Sequence, residues 1–340
     1  MKVAPTAASA GATPAVAERD ERVEAAAGIL GELALRDMPL APLTTYRVGG
    51  GAALFVHVRR RDDLAAVAAA RHASGLPVLV VGRGSNLLVA DAGFVGIALS
   101  VADLAGAIGV GDAAVASGDE VVVGAGGGVA LPVLARRTAA AALHGFEWAV
   151  GVPGSVGGAV KMNAGGHGSD MAACTLDVEV ADLAADGMER VRPVDELGLR
   201  FRGSDLRDDE VVLAVRLSLR SGDQVAAEAE ISEIVRWRRA NQPGGQNAGS
   251  VFVNPVPGEV SAGSLVDALG LRGFRVGSAC VSAKHANFVQ ASEGGTAADV
   301  RAVIEEVRRR VAEATGFHLR SEVRLVGFAD DGASHGEGAT

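Results

Sequence analysis

The sequence predicts an α+β fold spread over more than one domain, and three observations carry that expectation. Strand-like segments run straight into glycine-rich loops in VLVVGRGSN and VVVGAGGGVALP, and a longer glycine loop, GVPGSVGGAVKMNAGGHG, follows from Gly151 to Gly168. From Thr175 the pattern turns to alternation across LDVEVADL and MERVRPV, which flank Asp186-Gly187, a strong hairpin signal. A composition shift at Ser221–Asp223 then introduces a further block. At 340 residues the chain exceeds one typical core, so two or three domains are expected.

Residues 1–24 read as a disordered tail. Prolines and polar residues interrupt MKVAPTAASAGATPAVAERD, and its A-S-A mimics a cleavage site without the apolar stretch that a signal peptide needs. Order begins near Ala25 with a short helix to Leu35, followed by the extended MPLAPLTTYRVGGGAALFVHV with alternation around Phe55, Val56 and Val58. Asp62 and Asp63 open an alanine-rich helix through Ala73, Pro77 begins the strand VLVV, and a second strand spans Val95–Val101. Hairpin-like pieces lead to the GAGGG loop and its helix. Val211, Leu213, Val215, Leu217 and Leu219 mark a one-sided strand, and the next helix runs through Arg239 to a stop at QPGG. The remainder holds NAGSVF, a short helix from Ser264, the strand-like HANFVQ, a helix over Thr296–Ala314, a last strand HLRSEVRLVGF and a loose tail. No internal repeat is visible.

Composition excludes several classes. Acids outnumber bases 41 to 32, for a net charge of -9, and no basic run interleaves with aromatics, which argues against nucleic acid as a partner. No segment stays apolar for about 18 residues, so no membrane span is expected and the protein reads as cytoplasmic. Cys174 and Cys280 lie far apart and outside any CxxC spacing, as ordinary buried thiols do. The seven histidines show no HExxH or paired spacing, so no metal is expected, and no serine sits in a GxSxG elbow. The 46 glycines cluster in loops, where backbone can approach a ligand closely.

Candidate chemistry follows from those loops and three side chains. GRGSN has Gly82 and Gly84 but Leu87 at the third position of a dinucleotide fingerprint, so a tight turn after a buried strand is an equal reading. Gly124–Gly128 and Pro153–Gly158 add small, donor-rich backbone of the kind that cradles a diphosphate. Arg202 in FRGS offers a planar fork suited to a carboxylate, or is a surface arginine on a loop. Alternation in the last strand puts Leu319, Ser321, Val323 and Leu325 on one face and Arg320, Glu322 and Arg324 on the other, where a solvated charge ladder is the plainer reading. Ser250, on the small-residue turn of NAGSVFVNP, is a proton donor or a capping hydroxyl. Lys284 and His285 in SAKHANFV face a phosphate or simply solvent.

Taken together, PLTTYRVGG, VLVVGRGSNLLV, GVPGSVGGAVKMNAGGHG, FRGSDL, NAGSVFVNP, VSAKHANFV and SEVRLVG stand in the order that resembles the UDP-N-acetylenolpyruvoylglucosamine reductases, or UDP-N-acetylmuramate dehydrogenases, of peptidoglycan synthesis. The resemblance runs from about Pro39 to Gly327. It implies the FAD-binding fold of p-cresol methylhydroxylase and vanillyl-alcohol oxidase, with two α+β subdomains at about 25–105 and 106–220. A C-terminal α+β substrate domain over 221–328 and a tail over 329–340 complete the expected chain. It implies non-covalent FAD, reduced by NADPH, and hydride transfer to the enolpyruvyl ether of UDP-N-acetylglucosamine-enolpyruvate, in a monomer.

Arg202, Ser250 and Glu322 match the family's catalytic positions. Thr45, Arg47, Gly49, Gly82, Gly84, Ser85, Asn86, Gly154, Ser155, Gly157, Gly158, Asn163 and Gly165 match its flavin contacts, and Arg238 and Asn254 its substrate contacts. Phe201, Gly166-His167 and Asn241 depart from the usual residues, and the extra tyrosine-bearing loop of one subtype is missing, so the chain resembles the shorter type. A flavin oxidase of the same fold is the nearest rival, but such enzymes often attach flavin through a His or Cys, and neither occurs in GRGSN or PGSVGG. A non-catalytic flavin or nucleotide sensor is the other alternative.

Overall fold

The structure, a computed structural model, describes residues 14–109 and 115–329. Its first unit is a four-stranded sheet flanked by helices. Helix α1 (Pro14–Leu30) precedes β1 (Leu35–Pro39), β2 (Gly51–His57), α2 (Arg61–Ser74), β3 (Val78–Val80), β4 (Leu87–Val89) and β5 (Phe94–Ser100). The sheet order is β1-β2-β5-β3, with β1 antiparallel to β2 and the β2–β5 and β3–β5 pairs parallel. Helix α2 supplies the crossover that a parallel pair requires. The expected tail is a helix from Pro14 onward, while residues 1–13 lie outside the described residues. Ala26, Ala27 and Leu30 bury against Leu54, Val56, Leu64 and Val67, and Arg22 Nε donates to Ser74 O at 2.8 Å. The charged, low-hydropathy stretch hid a helix whose stability comes from this packing.

The second unit is built on a long antiparallel sheet. It contains β6 (Ile108–Gly109), β7 (Val115–Ser117), β8 (Glu120–Gly126), α3 (Leu131–Ala140), β9 (Leu143–His144), α4 (Val156–Lys161), β10 (Gly165–Gly166), β11 (Ser169–Asp170), β12 (Thr175–Asp182), β13 (Met188–Pro193), β14 (Glu210–Ser221) and α5 (Gln224–Asn241). The main order is β13-β12-β14-β8-β6. Asp186 and Gly187 both take positive φ (54° and 77°) in the β12–β13 connection, as the turn signal requires. Strand β14 is not one-sided. A register break opposite Glu179/Val180 swaps its faces, so Val211 and Leu213 join the first unit's core while Val212, Val215, Leu217 and Leu219 join the second's. Helix α5 was expected to open the third unit. Its Ala227, Ile231 and Ile234 bury with Leu134, Phe146 and Trp148 of the second unit.

The third unit comprises β15 (Gln246–Ser250), α6 (Ala262–Ala268), β16 (Arg275–Val276), β17 (Ala279–Val281), β18 (Phe288–Ala291), α7 (Ala297–Thr315) and β19 (Arg324–Val326). Its sheet, β15-β18-β17-β16, packs on α6 and α7 through Val266, Val281, Val289, Val300 and Val303. The long last strand is interrupted: Ser321 makes a single bridge to Phe252, and only β19 is extended, paired in parallel with β4 of the first unit. Of the expected loose tail, residues 330–340 lie outside the described residues.

Candidate active site

Three loops meet where the units adjoin. Gly84 has φ 54°, and a Cβ there would run into Leu43 O; one on Gly82 would run into Ser155 Oγ. These glycines let GRGSN lie between the PLTT turn and the PGSVGG loop, and Thr45 N donates to Gly84 O at 3.2 Å. The resulting cleft, with a cavity volume of about 160 Å³, is walled by Gly82, Arg83, Gly127, Ser155, Gly158 and Lys161 among others.

The loops differ in what their amides do. In GAGGG the amides of Gly126, Gly127 and Gly128 are engaged by Ala107, Leu213 and Ala105 carbonyls at 2.8, 2.9 and 2.9 Å. That loop is close packing and not the diphosphate cradle its composition suggested. Gly157 and Gly158 likewise donate internally, to Gly127 O and Ser155 Oγ, so they serve the cleft by lacking side chains. The amides of Gly82 through Asn86, with those of Gly154 and Ser155, make no hydrogen bond among the described residues. The Thr45 hydroxyl is buried without a partner. Gly82 and Arg83 are exposed, but Gly84, Gly154 and Ser155 are buried, as is the Thr45 hydroxyl; buried polar groups are normally satisfied, so this edge fits a ligand rich in acceptors, such as the diphosphate and ribityl chain of a flavin dinucleotide.

Arg202 and Glu322 meet beside this edge, and Ser250 immediately precedes Val251, whose carbonyl accepts from Glu322 N. Arg202 Nε lies 2.9 Å from Glu322 Oε2, with the two side chains only 25% and 14% exposed. Burial holds the Glu322 carboxyl above its ordinary range, opposed by the Arg202 charge. The expected charge ladder is therefore replaced by a withdrawn ion pair, because the strand is broken at Ser321. Glu322 is fixed from both sides: its N donates to Val251 O at 2.7 Å, next to Ser250, and its carbonyl accepts from Asn86 Nδ2 at 2.8 Å. Ser250 ends β15 opposite Phe288, half-buried, and its hydroxyl has no hydrogen bond among the described residues.

Arg202 is held in left-handed backbone (φ 58°), a conformation that Arg47, Asn163 and His167 share. Strained non-glycine residues of this kind persist where surroundings impose them. For Arg202 the surroundings include Asn163, whose Nδ2 donates to Arg200 O (3.3 Å) and Asp170 Oδ2 (3.2 Å) while Oδ1 accepts from Ala172 N (2.9 Å). Asn163 thus braces the arginine turn, and its amide is not aimed at a cofactor. Gly165 O accepts from Arg202 Nη1 at 3.4 Å. Gly49 abuts Val89 O, and Arg47 is exposed beside it.

Arg238 lies half-buried against Gly151 with no carboxylate partner among the described residues, and burial lowers its pKa. His167 stacks edge-on with the exposed Trp237 at 5.2 Å, and burial followed by the Arg238 charge lowers its pKa. Sequence reading missed Trp237, whose neighbour Arg238 was the only signal. Asn254 Oδ1 accepts from Ala262 N at 3.0 Å, which leaves only its Nδ2 for a ligand. Lys284 Nζ donates to Arg239 O at 2.6 Å and so ties α5 to the third unit. Among the described residues no cluster of His, Cys, Asp or Glu could hold a metal, and burial pushes the Cys174 thiol up to about 12.

A profile described as UDP-N-acetylenolpyruvoylglucosamine reductase, C-terminal domain, matches residues 241–326, and one described as FAD binding domain matches residues 52–191. The UDP-N-acetylenolpyruvoylglucosamine reductase of Heliobacterium modesticaldum is 41% identical over 308 residues, covering 90% of this chain and 94% of the relative. That of Anaeromyxobacter dehalogenans is 43% identical over 295 residues, with 86% and 85% covered. Among solved structures, the UDP-N-acetylenolpyruvylglucosamine reductase of Thermus caldophilus superposes with a TM-score of 0.70 at 34% identity, over 86% of this chain and 98% of that one.

Proposed function

The chain belongs to the UDP-N-acetylenolpyruvoylglucosamine reductase family, and on that premise we propose that it uses NADPH to reduce the enolpyruvyl ether of UDP-N-acetylglucosamine-enolpyruvate to UDP-N-acetylmuramate, as a cytoplasmic monomer. It is an oxidoreductase with an FAD-binding domain. The free amides of GRGSN and of Gly154–Ser155, with the Thr45 hydroxyl, fit that cofactor and would hold it. Held there and first reduced by NADPH, the flavin would supply the hydride needed at the terminal methylene carbon of the enolpyruvyl group.

The chain's own residues account for the rest. Hydride addition drives negative charge into the substrate carboxylate, which the Arg202 fork, and the Glu322 carboxyl in its neutral form, would stabilise. That delocalised charge leaves the ether-bearing carbon strongly basic, so Ser250, a weak acid in water, can deliver its proton over a short distance. Arg238 and the His167–Trp237 pair are neighbours and suit the nucleotide part of the substrate.

One observation carries this reading: Glu322 is bound at once to Arg202, to Asn86 of GRGSN and to the residue following Ser250. The test is direct. The purified protein is expected to be yellow, to release its flavin on acid precipitation, and to oxidise NADPH only when UDP-N-acetylglucosamine-enolpyruvate is present. Colourless protein, or NADPH oxidation indifferent to that substrate, would refute the reading.

A further inference from the structure

Asn287 lies in SAKHANFV, where the sequence drew attention to Lys284 and His285 instead. Its carboxamide is almost wholly buried and makes two 2.9 Å bonds to one residue: Nδ2 donates to Phe252 O, and Oδ1 accepts from Phe252 N. Its carbonyl accepts from Val251 N, also at 2.9 Å. The amide end is fixed in turn, because Asn287 N donates to His285 Nδ1 at 3.2 Å. A side chain that satisfies both backbone groups of one residue replaces a strand partner, and here it does so just where the irregular β15–β18 ladder ends at Ser250. On the other edge, Glu322 N donates to Val251 O, Val253 N donates to Arg320 O, and Phe252 bridges Ser321. The two residues after Ser250 are thus clamped between Asn287 and the segment that carries Glu322.

We infer that Asn287 is a positioning residue that fixes the Ser250 hydroxyl relative to Glu322 and Arg202, an inference that rests on the donor role proposed for Ser250. Apolar filling cannot substitute for it. Phe252 is buried, so loss of the carboxamide strands its N–H and C=O away from water. Proton delivery is sensitive to such a shift, since misplacement by about 1 Å can cost about 10²-fold in rate.

The test is Asn287→Asp in the flavin-loaded protein. A protonated aspartic acid can accept from Phe252 N–H and donate to Phe252 C=O as the amide does, whereas the carboxylate sets an anion against that carbonyl. Burial raises the pKa of such a group, so the variant should recover as pH falls. His285, Arg272 and the Arg202–Glu322 pair are common to variant and wild type, and the rate ratio at each pH isolates residue 287. Anaerobic reoxidation of reduced protein by UDP-N-acetylglucosamine-enolpyruvate is expected to be about 10²-fold slow near pH 9 and within about threefold of wild type near pH 5.5. Flavin reduction by NADPH should stay near wild type throughout. Asn287→Ala should be slow at every pH. Hydrogen exchange at the Phe252 amide gives a readout without catalysis: its protection relative to wild type should fall at high pH in Asn287→Asp and return at low pH. Wild-type reoxidation at all pH values, or a deficit in Asn287→Asp that pH does not alter, overturns the positioning role. A parallel Ser250→Ala variant separates the premise, because undiminished reoxidation there removes the donor role itself and the inference with it.

Discussion

Arg202 and Glu322 form a contact in which desolvation and Coulomb attraction oppose each other, and burial prevails at the carboxyl. The folded protein therefore binds the Glu322 proton more tightly than the unfolded chain does. Its contribution to stability is fully present below the unfolded pKa and is lost as pH rises through the raised folded value. The same window governs chemistry if the neutral carboxyl donates to the substrate. Substrate-driven reoxidation should then slow as pH rises above the ordinary glutamate range, and Glu322→Gln, neutral at every pH, should flatten that limb while lowering the plateau. An unchanged limb in the variant would assign the titration elsewhere. Arg202→Lys tests the partner: loss of the planar fork should slow reoxidation by about 10²–10³-fold with flavin reduction near normal. Resemblance made these residues legible as types. Alternation placed Glu322 among solvated charges, however, because period-two reasoning assumes an unbroken strand, whereas Ser321 bridges Phe252, far away in sequence, and its hydroxyl bonds the Val323 backbone.

At the scale of elements, glycine-rich loops that look alike in sequence serve different ends. GAGGG holds β8 close to β14: a Cβ on Gly127 would collide with Val212 O, and its amides are engaged by neighbouring backbone. GRGSN combines tight packing at Gly84 with amides that remain free. Gly127→Ala should therefore lower the thermal unfolding temperature whether or not flavin is present. Gly84→Ala, with its left-handed φ and the carbonyl of Leu43 in the way, should cost about 1–3 kcal/mol in strain and weaken flavin retention as well. Gly118→Ala is a useful comparison, having a similar φ (60°) but, among the described residues, open space around its Cβ. Equal flavin affinity in all three variants would contradict the division of labour. Composition cannot tell such loops apart, since both need small residues and the difference lies in which carbonyls face them. The β14 bulge was hidden for a related reason, because it is defined by the partner strand and flips the face of an otherwise regular alternation.

Across the whole molecule, the chain's end is woven into its beginning. Strand β19 pairs with β4, Arg324 N donates to Asn86 O at 2.9 Å, and Leu88, Tyr46 and Val48 share a core with α7. Asp91, just after β4, caps α7 from the first unit: its two oxygens accept from Ala297 N and Ala298 N at 2.8 and 2.9 Å. A carboxylate at a helix N-terminus gains from both hydrogen bonds and the helix dipole, so Asp91→Ala should cost about 1–2 kcal/mol. Because the cap crosses between units, that loss should appear in both intrinsic tryptophan fluorescence and release of flavin during denaturant unfolding. Those two transitions should stay coincident, since Trp148 reports the second unit's core while flavin reports the loops that β19 braces. Separate midpoints would mean that the third unit unfolds independently, and Glu322 could then not be held against GRGSN by the fold itself. Coincident midpoints, shifted together by Asp91→Ala, would place the geometry of the proposed proton-transfer site under the control of a contact made at the other end of β4.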